Sequence, residues 1–206
     1  MYTQLRIYTV NRDTMDEWVA WWHKYPKRIG EAVGQKVTGG WVNEERSDFI
    51  WMRSYANAEG AKQKDAAFAA NPDWNAIRPE SRKFIAKAEI TPMQAESIER
   101  PAKFTPYAQL RIYTISRGEM ARHLTLFRGE VVPVHKEHGH SIYGPWTNEQ
   151  KTKMIWLRNY QSPEDAKAKD QGLYDSPAWK ALLPRLVYVA NVDVKPIFAV
   201  PQIADP

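Results

Sequence analysis

The sequence predicts an α+β fold: two tandem ferredoxin-like (βαββαβ) units that together form a pseudo-dimeric α/β barrel within one chain. The first observation behind this is internal repetition. Gln4-Leu5-Arg6-Ile7-Tyr8-Thr9 recurs as Gln109-Leu110-Arg111-Ile112-Tyr113-Thr114, an offset of 105 that then holds without a gap. Trp41-x-Asn43-Glu44 returns as Trp146-x-Asn148-Glu149, Ile50-Trp51-x-Arg53-x-Tyr55 as Ile155-Trp156-x-Arg158-x-Tyr160, and Pro72-x-Trp74 as Pro177-x-Trp179. Between Tyr2 and Pro79 about 27 of 78 positions match, far above coincidence. The second observation is the order of apolar patterns within each half, which reads β-α-β-β-α-β. The third is size: 206 residues, 43% of them apolar, suffice for two domains of about 100 residues.

Each element has a local cause. Tyr2 to Val10 alternates, with Gln4, Arg6 and Tyr8 on one side and Leu5, Ile7 and Thr9 on the other, as a strand does. Thr14-x-x-Glu17 fits a capping box, and Met15, Trp18, Val19 and Trp22 follow at helical spacing until Pro26 bends or ends the helix. Val37 to Glu44 and Asp48 to Tyr55 are apolar and aromatic runs around a short polar turn, which makes a hairpin. Asn57, or Ser162-Pro163 in the second half, opens another helix. Asn71-Pro72 and Ser176-Pro177 each set a capping side chain before a proline at the first helical position, so a short helix carries Trp74 or Trp179, both expected to be buried. Phe84 to Thr91, matched by Val187 to Val194, supplies the fourth strand. The domains then span 1–92 and 106–206, and the prolines at 92, 101 and 106 mark a linker over 93–105. A sheet with both helices on one face leaves its other face bare, and two such sheets in one chain can cover each other.

Composition excludes several classes. Without cysteine there are no disulfides, thiolate metal sites, iron–sulfur clusters or cysteine nucleophile. No run approaches the roughly 18 apolar residues of a membrane span, and Met1 leads directly into a strand rather than an apolar signal core, which predicts a cytoplasmic protein with no membrane partner. The net charge of +5 is spread over both halves, and signs alternate along helices, as in Lys62-Gln-Lys64-Asp65, so these read as solvated faces and no nucleic-acid partner is expected. Phosphate loops, dinucleotide fingerprints, nucleophile elbows and zincin motifs are missing, and no cofactor is expected.

The Gln-Leu-Arg-x-Tyr-Thr strand, Glu137-His138-Gly139, Ile155-Trp156-Leu157-Arg158 and Leu173-Tyr174-Asp175-Ser176-Pro177-Ala178-Trp179 together resemble bacterial NIPSNAP proteins of the dimeric α/β-barrel superfamily, once per half. The resemblance implies that fold. It implies no single activity, because that superfamily spans cofactor-free oxygenases, haem enzymes, isomerases, cyclases and binding proteins. The first half departs from the pattern, with Ala32-Val33-Gly34 facing Glu137-His138-Gly139 and Ala69-Ala70-Asn71 facing Tyr174-Asp175-Ser176.

Two sets of residues are candidates for a site. Arg6, Tyr8, Trp51 and Arg53, and at the repeat offset Arg111, Tyr113, Trp156 and Arg158, share strand faces: either Arg6 or Arg53 closes a paired network with Glu44 or Glu89, or one arginine is left free to hold a ligand's carboxylate or phosphate. His135, His138, His140 and Tyr143 occur only in the second half, where the first has Gly30, Val33, Gln35 and Thr38. A site need persist only once after duplication, so the second half is expected to carry the ligand chemistry, with His138 or His140 moving a proton and Tyr143 as hydrogen-bond partner. No metal site is expected. The leading reading is a small-molecule-binding barrel, with cofactor-independent catalysis on an aromatic or polar-aromatic compound as its enzymatic form. A non-catalytic interaction module and a haem-binding barrel are the alternatives. Homo-oligomers are allowed but not required, since the duplication supplies within one chain what single-domain relatives need a dimer for.

Overall fold

A computed structural model describes residues 1–101 and 104–200. The chain divides into two compact units, Met1–Gln94 joined by the end of the chain from Phe198, and Ala95–Ile197. By sequence, the first repeat contains β1 (Tyr2–Val10), α1 (Met15–Lys24), α2 (Pro26–Ala32), β2 (Lys36–Asn43), β3 (Asp48–Tyr55), α3 (Ala58–Ala70), α4 (Pro72–Ser81) and β4 (Ile85–Glu99), whose last residues from Ala95 fall in the second compact unit. The second contains β5 (Tyr107–Ile115), α5 (Met120–Leu126), a π-helical turn (Phe127–Val131), α6 (Val132–Glu137), β6 (Ser141–Thr147), β7 (Lys153–Tyr160), α7 (Pro163–Asp175), α8 (Pro177–Leu182), a 3-10 turn (Leu183–Arg185) and β8 (Val189–Ala199). Strand order is β4-β1-β3-β2 in one and β8-β5-β7-β6 in the other, so the two halves share one topology. Even the register repeats at the sequence offset: Gln4 faces Arg53 and Arg6 faces Trp51, as Gln109 faces Arg158 and Arg111 faces Trp156.

Several local devices behave as the sequence predicts. Asn57, Asn71, Ser162 and Ser176 each cap a helix, accepting from the backbone N–H three residues on. Pro26 starts a new helix after a break at Tyr25. Gly34 and Gly139, with φ of 80° and 75°, stop the helix that leads into β2 or β6, the left-handed conformation that glycine adopts without strain. Glu137-His138-Gly139 therefore marks a helix end, with His138 as its last capping residue.

Others differ. Thr14 does not form a capping box: its hydroxyl donates to the Asn11 carbonyl at 2.8 Å. Strand β4 does not stop at Thr91 but runs to Glu99, so much of the expected linker is strand. Pro92 sits within the β1–β4 ladder opposite Gln4; a proline removes one donor, and every second strand residue directs its N–H away from a given neighbour. Of the remaining linker, residues 102 and 103 lie outside the described residues.

In each unit the helices cover the sheet face that carries Arg6 and Arg53, or Arg111 and Arg158. The first unit fills that layer with Trp18, Trp21 and Trp22 of α1 against Phe49 and Trp51. The second uses Leu124, Phe127 and Val131 against Trp156, with Leu173, Trp179 and Leu182 from α7 and α8.

Candidate functional site

The two arginine rows are the polar centre of each unit. Arg6 donates from Nε and Nη2 to Gln4 Oε1 at 3.1 and 2.8 Å and from Nη1 to the Tyr8 hydroxyl at 2.9 Å. The partner carboxylate comes from α3: Asp65 accepts from Arg53 Nη1 at 3.1 Å, Tyr55 at 2.9 Å, Gln35 at 2.8 Å and Gln4 at 2.9 Å. In the second unit Asp170 accepts from Arg158 Nη1 and Tyr160 at 2.8 Å each and from Gln109 at 3.1 Å, and the His140 ring lies 2.9 Å away. The expected partners Glu44 and Glu89 are not used. Glu44 is exposed at the end of the hairpin and Glu89 pairs with Lys87 on β4, whereas α3 places Asp65 directly over the arginines. Lys64-Asp65, read from sequence as part of a solvated face, recurs as Lys169-Asp170, and that repetition was the signal for a shared structural partner.

The protonation states follow from these surroundings. Burial and the neighbouring Arg6 charge lower the Arg53 pKa from its usual value, and burial raises the Tyr55 hydroxyl to about 12. Burial alone would raise Asp170, but the His140 hydrogen bond and the Arg158 charge hold it well below the usual carboxylate range. His140 Nδ1 lies 3.0 Å from the His135 carbonyl and Nε2 lies 2.9 Å from Asp170. His123 is pulled down to about 4 by burial and is neutral. Burial and the Arg158 charge likewise keep His135 neutral.

A cavity of about 200 Å³ opens on this face of the first unit. Its polar side is Arg6, Arg53 and Asp65, and its walls are Tyr8, Trp18, Trp22, Trp51, Phe68 and Trp74. The Arg53 guanidinium lies 4.5 Å from the Trp51 ring centre and 5.6 Å from that of Phe68, and Arg6 lies 5.2 Å from Trp51, all cation–π distances. Trp22 meets Trp51 edge-on at 5.0 Å, Tyr8 meets it at 5.8 Å, and Phe68 packs on Trp74 at 4.7 Å. Arg53 Nε and the indole N–H groups of Trp18, Trp22 and Trp51 are buried without an acceptor among the described residues.

The same place in the second unit is filled by side chains. His135 is fully buried between Trp156 and Trp179, with ring centres 5.4 and 5.3 Å away. The first unit has Gly30 there, where a Cβ would stand 2.6 Å from Gln35 Oε1. Tyr174 replaces Ala69, and its hydroxyl accepts from Arg158 Nη1 at 3.2 Å. Trp156 and Arg158 are 0% exposed, against 3% and 5% for Trp51 and Arg53. This also explains why Trp179 is buried as expected but Trp74 is only half-buried: Trp179 has His135 to pack on, and Trp74 forms part of the cavity wall.

The structure therefore brings together Arg6, Tyr8, Trp51 and Arg53 around a cavity, and Arg111, Tyr113, Trp156 and Arg158 around a filled core. It does not bring together His138, His140 and Tyr143. His140 belongs to the Asp170 network, and half-buried His138 has Nδ1 on the Val134 carbonyl at 2.9 Å. Tyr143 stands opposite Leu157 in the β6–β7 ladder, on the sheet face away from Arg158, and packs on Trp146 and Phe104. The residues peculiar to the second half, His135 and Tyr174, occupy there the space that the first unit leaves open as a cavity. Gln35, Gly30 and Ala69 were missed because what matters at each is a smaller or neutral side chain. Among the described residues no group of three or more His, Asp or Glu could hold a metal ion.

Comparison with known structures agrees with the fold. A "putative monooxygenase" from Lactobacillus acidophilus superposes over 100% of this chain and 97% of its own, with a TM-score of 0.70 at 14% identity. An anthrone oxidase-like protein matches over 97% of this chain and 91% of its own, with a TM-score of 0.65 at 12% identity. A NIPSNAP domain protein from Burkholderia xenovorans covers 47% of this chain and 96% of its own, with a TM-score of 0.44 at 15% identity. For the first two, at such identities, the likeness is one of fold. No curated protein matches the sequence. The sequence profile of the NIPSNAP family matches residues 2–106 and again 107–195, one match for each repeat. With both halves matched and each folded as a βαββαβ unit, the chain belongs to the NIPSNAP family as a tandem two-domain member.

Proposed function

We propose that the protein binds a small, planar, polar-aromatic molecule in the cavity of its first unit. The observation that carries this reading is the arginine pair at one side of an aromatic-walled space of about 200 Å³. Such walls suit the flat faces of a ring, and the guanidinium groups supply donors that fix its orientation. The volume lies below the roughly 300–1,000 Å³ of drug-sized sites, which favours a single substituted ring.

The polar groups favour binding over proton transfer. Asp65 already accepts four hydrogen bonds, from Gln4, Gln35, Arg53 and Tyr55. The Tyr8 hydroxyl accepts from Arg6 and keeps its own proton to donate to a bound polar atom. Isothermal titration of the whole chain with benzoate, phenol, benzyl alcohol and aniline tests the reading. At least one should bind, and Arg53→Met and Trp74→Ala, checked for folding by thermal melting, should each weaken it about tenfold. Absence of heat with all four probes up to about 10 mM would refute it.

A further inference from the structure

The second unit carries, as one of its own side chains, a chemical likeness of what the first unit leaves room for. The frameworks match at the sequence offset: Arg53 with Arg158, Asp65 with Asp170, Trp51 with Trp156, and Trp74 with Trp179. In the second unit Arg158 Nη1 uses both of its hydrogens, one on Asp170 Oδ1 at 2.8 Å and the other on the Tyr174 hydroxyl at 3.2 Å. The Tyr174 ring lies across the entrance, 39% exposed, 6.0 Å from Trp179 and 5.8 Å from the Arg158 guanidinium. In the first unit Arg53 Nη1 donates to Asp65 Oδ1 at 3.1 Å, and its second hydrogen has no acceptor among the described residues. Ala69 stands where the phenol would be attached.

Resting on the reading of this cavity as a ligand site, we infer that its ligand class is a phenol, whose ring enters beside Trp74 and whose hydroxyl takes the free hydrogen of Arg53 Nη1, and that Tyr174 stops a second such site in the other unit. A phenol suits the position better than a second carboxylate. Its oxygen is neutral, so it accepts from an arginine already paired with Asp65 without setting two anions side by side. It also carries a proton of its own to donate, which a carboxylate lacks. Position 69 is exposed on α3, so a tyrosine introduced there costs the fold little.

The test is calorimetric titration of the intact chain with p-cresol, the free form of a tyrosine side chain, against toluene and 4-methylbenzoate. Wild type should bind about one equivalent of p-cresol, at least about tenfold more tightly than toluene. Ala69→Tyr, confirmed as folded by circular dichroism, should abolish that binding, and Tyr174→Ala should add a second equivalent. Equal affinity for p-cresol and toluene, or p-cresol binding unchanged by Ala69→Tyr, would overturn the inference. So would binding of 4-methylbenzoate, blocked by Ala69→Tyr, without binding of p-cresol; in that case the cavity remains a ligand site and only its phenol class is lost. A Tyr174→Ala chain that still binds one equivalent would overturn the part assigned to Tyr174. If no ring compound binds the wild type, both readings fall together.

Discussion

At the scale of single residues, the molecule hides charge by sharing one acid among several donors. Arg158 is fully buried, and Asp170 is its carboxylate partner. Asp170→Asn should therefore destabilise the chain by roughly 3–5 kcal/mol in urea denaturation, because it strands a buried cation. The neutral histidines give a pH dependence of definite sign. His123, buried and held at about 4, stays unprotonated in the folded chain while its unfolded counterpart binds a proton below about 6.5. Stability is thus complete above that range and falls as the pH drops from about 6.5 towards 4, by a few kcal/mol. His123→Phe should flatten this part of the profile when midpoints at pH 7 and pH 4.5 are compared, and an unchanged slope would show that other groups set it. The arginines were legible in the sequence as a repeated, same-face pair. Their acid was not, because one aspartate among alternating helix charges looks solvated until the sheet beneath it is known.

At the scale of elements, the signals written in local chemistry were the readable ones. Asparagine or serine before proline opens α4 and α8, and Ser176→Ala should cost about 1 kcal/mol. Trp179→Ala should cost about 3–5 kcal/mol, whereas half-buried Trp74 should cost clearly less in the same denaturation series. Gly39 shows how an element can depend on a missing side chain. The Trp41 ring folds back so closely that a Cβ at Gly39 would meet it at 2.0 Å, and Gly39→Ala should lower the melting temperature sharply by displacing that buried indole. The length of β4 was unreadable for a converse reason. Proline is a negative signal for strands, yet its effect depends on which way the absent N–H would have pointed, and the sequence does not carry that direction.

At the scale of the whole molecule, duplication made the fold legible, because an unbroken offset leaves no room for two topologies. It could not say which half is hollow. Tryptophan-rich composition serves a packed layer and a cavity equally well, and the difference lies in residues small enough to leave space, Gly30 and Ala69 against His135 and Tyr174. Of the side chains found only in the second half, His135 fills the layer, whereas His140 joins the Asp170 network. The aromatic layer of the first unit has an optical consequence. Trp18 and Trp21 stack at 5.5 Å, and Trp22 lies 5.0 Å from Trp51, so their indole transitions couple strongly. Six of the nine tryptophans lie in that half. The far-ultraviolet circular dichroism of the chain should consequently carry exciton couplets from that unit superposed on the backbone signal, and a molecule entering between those rings would announce its location, without a label, by altering them.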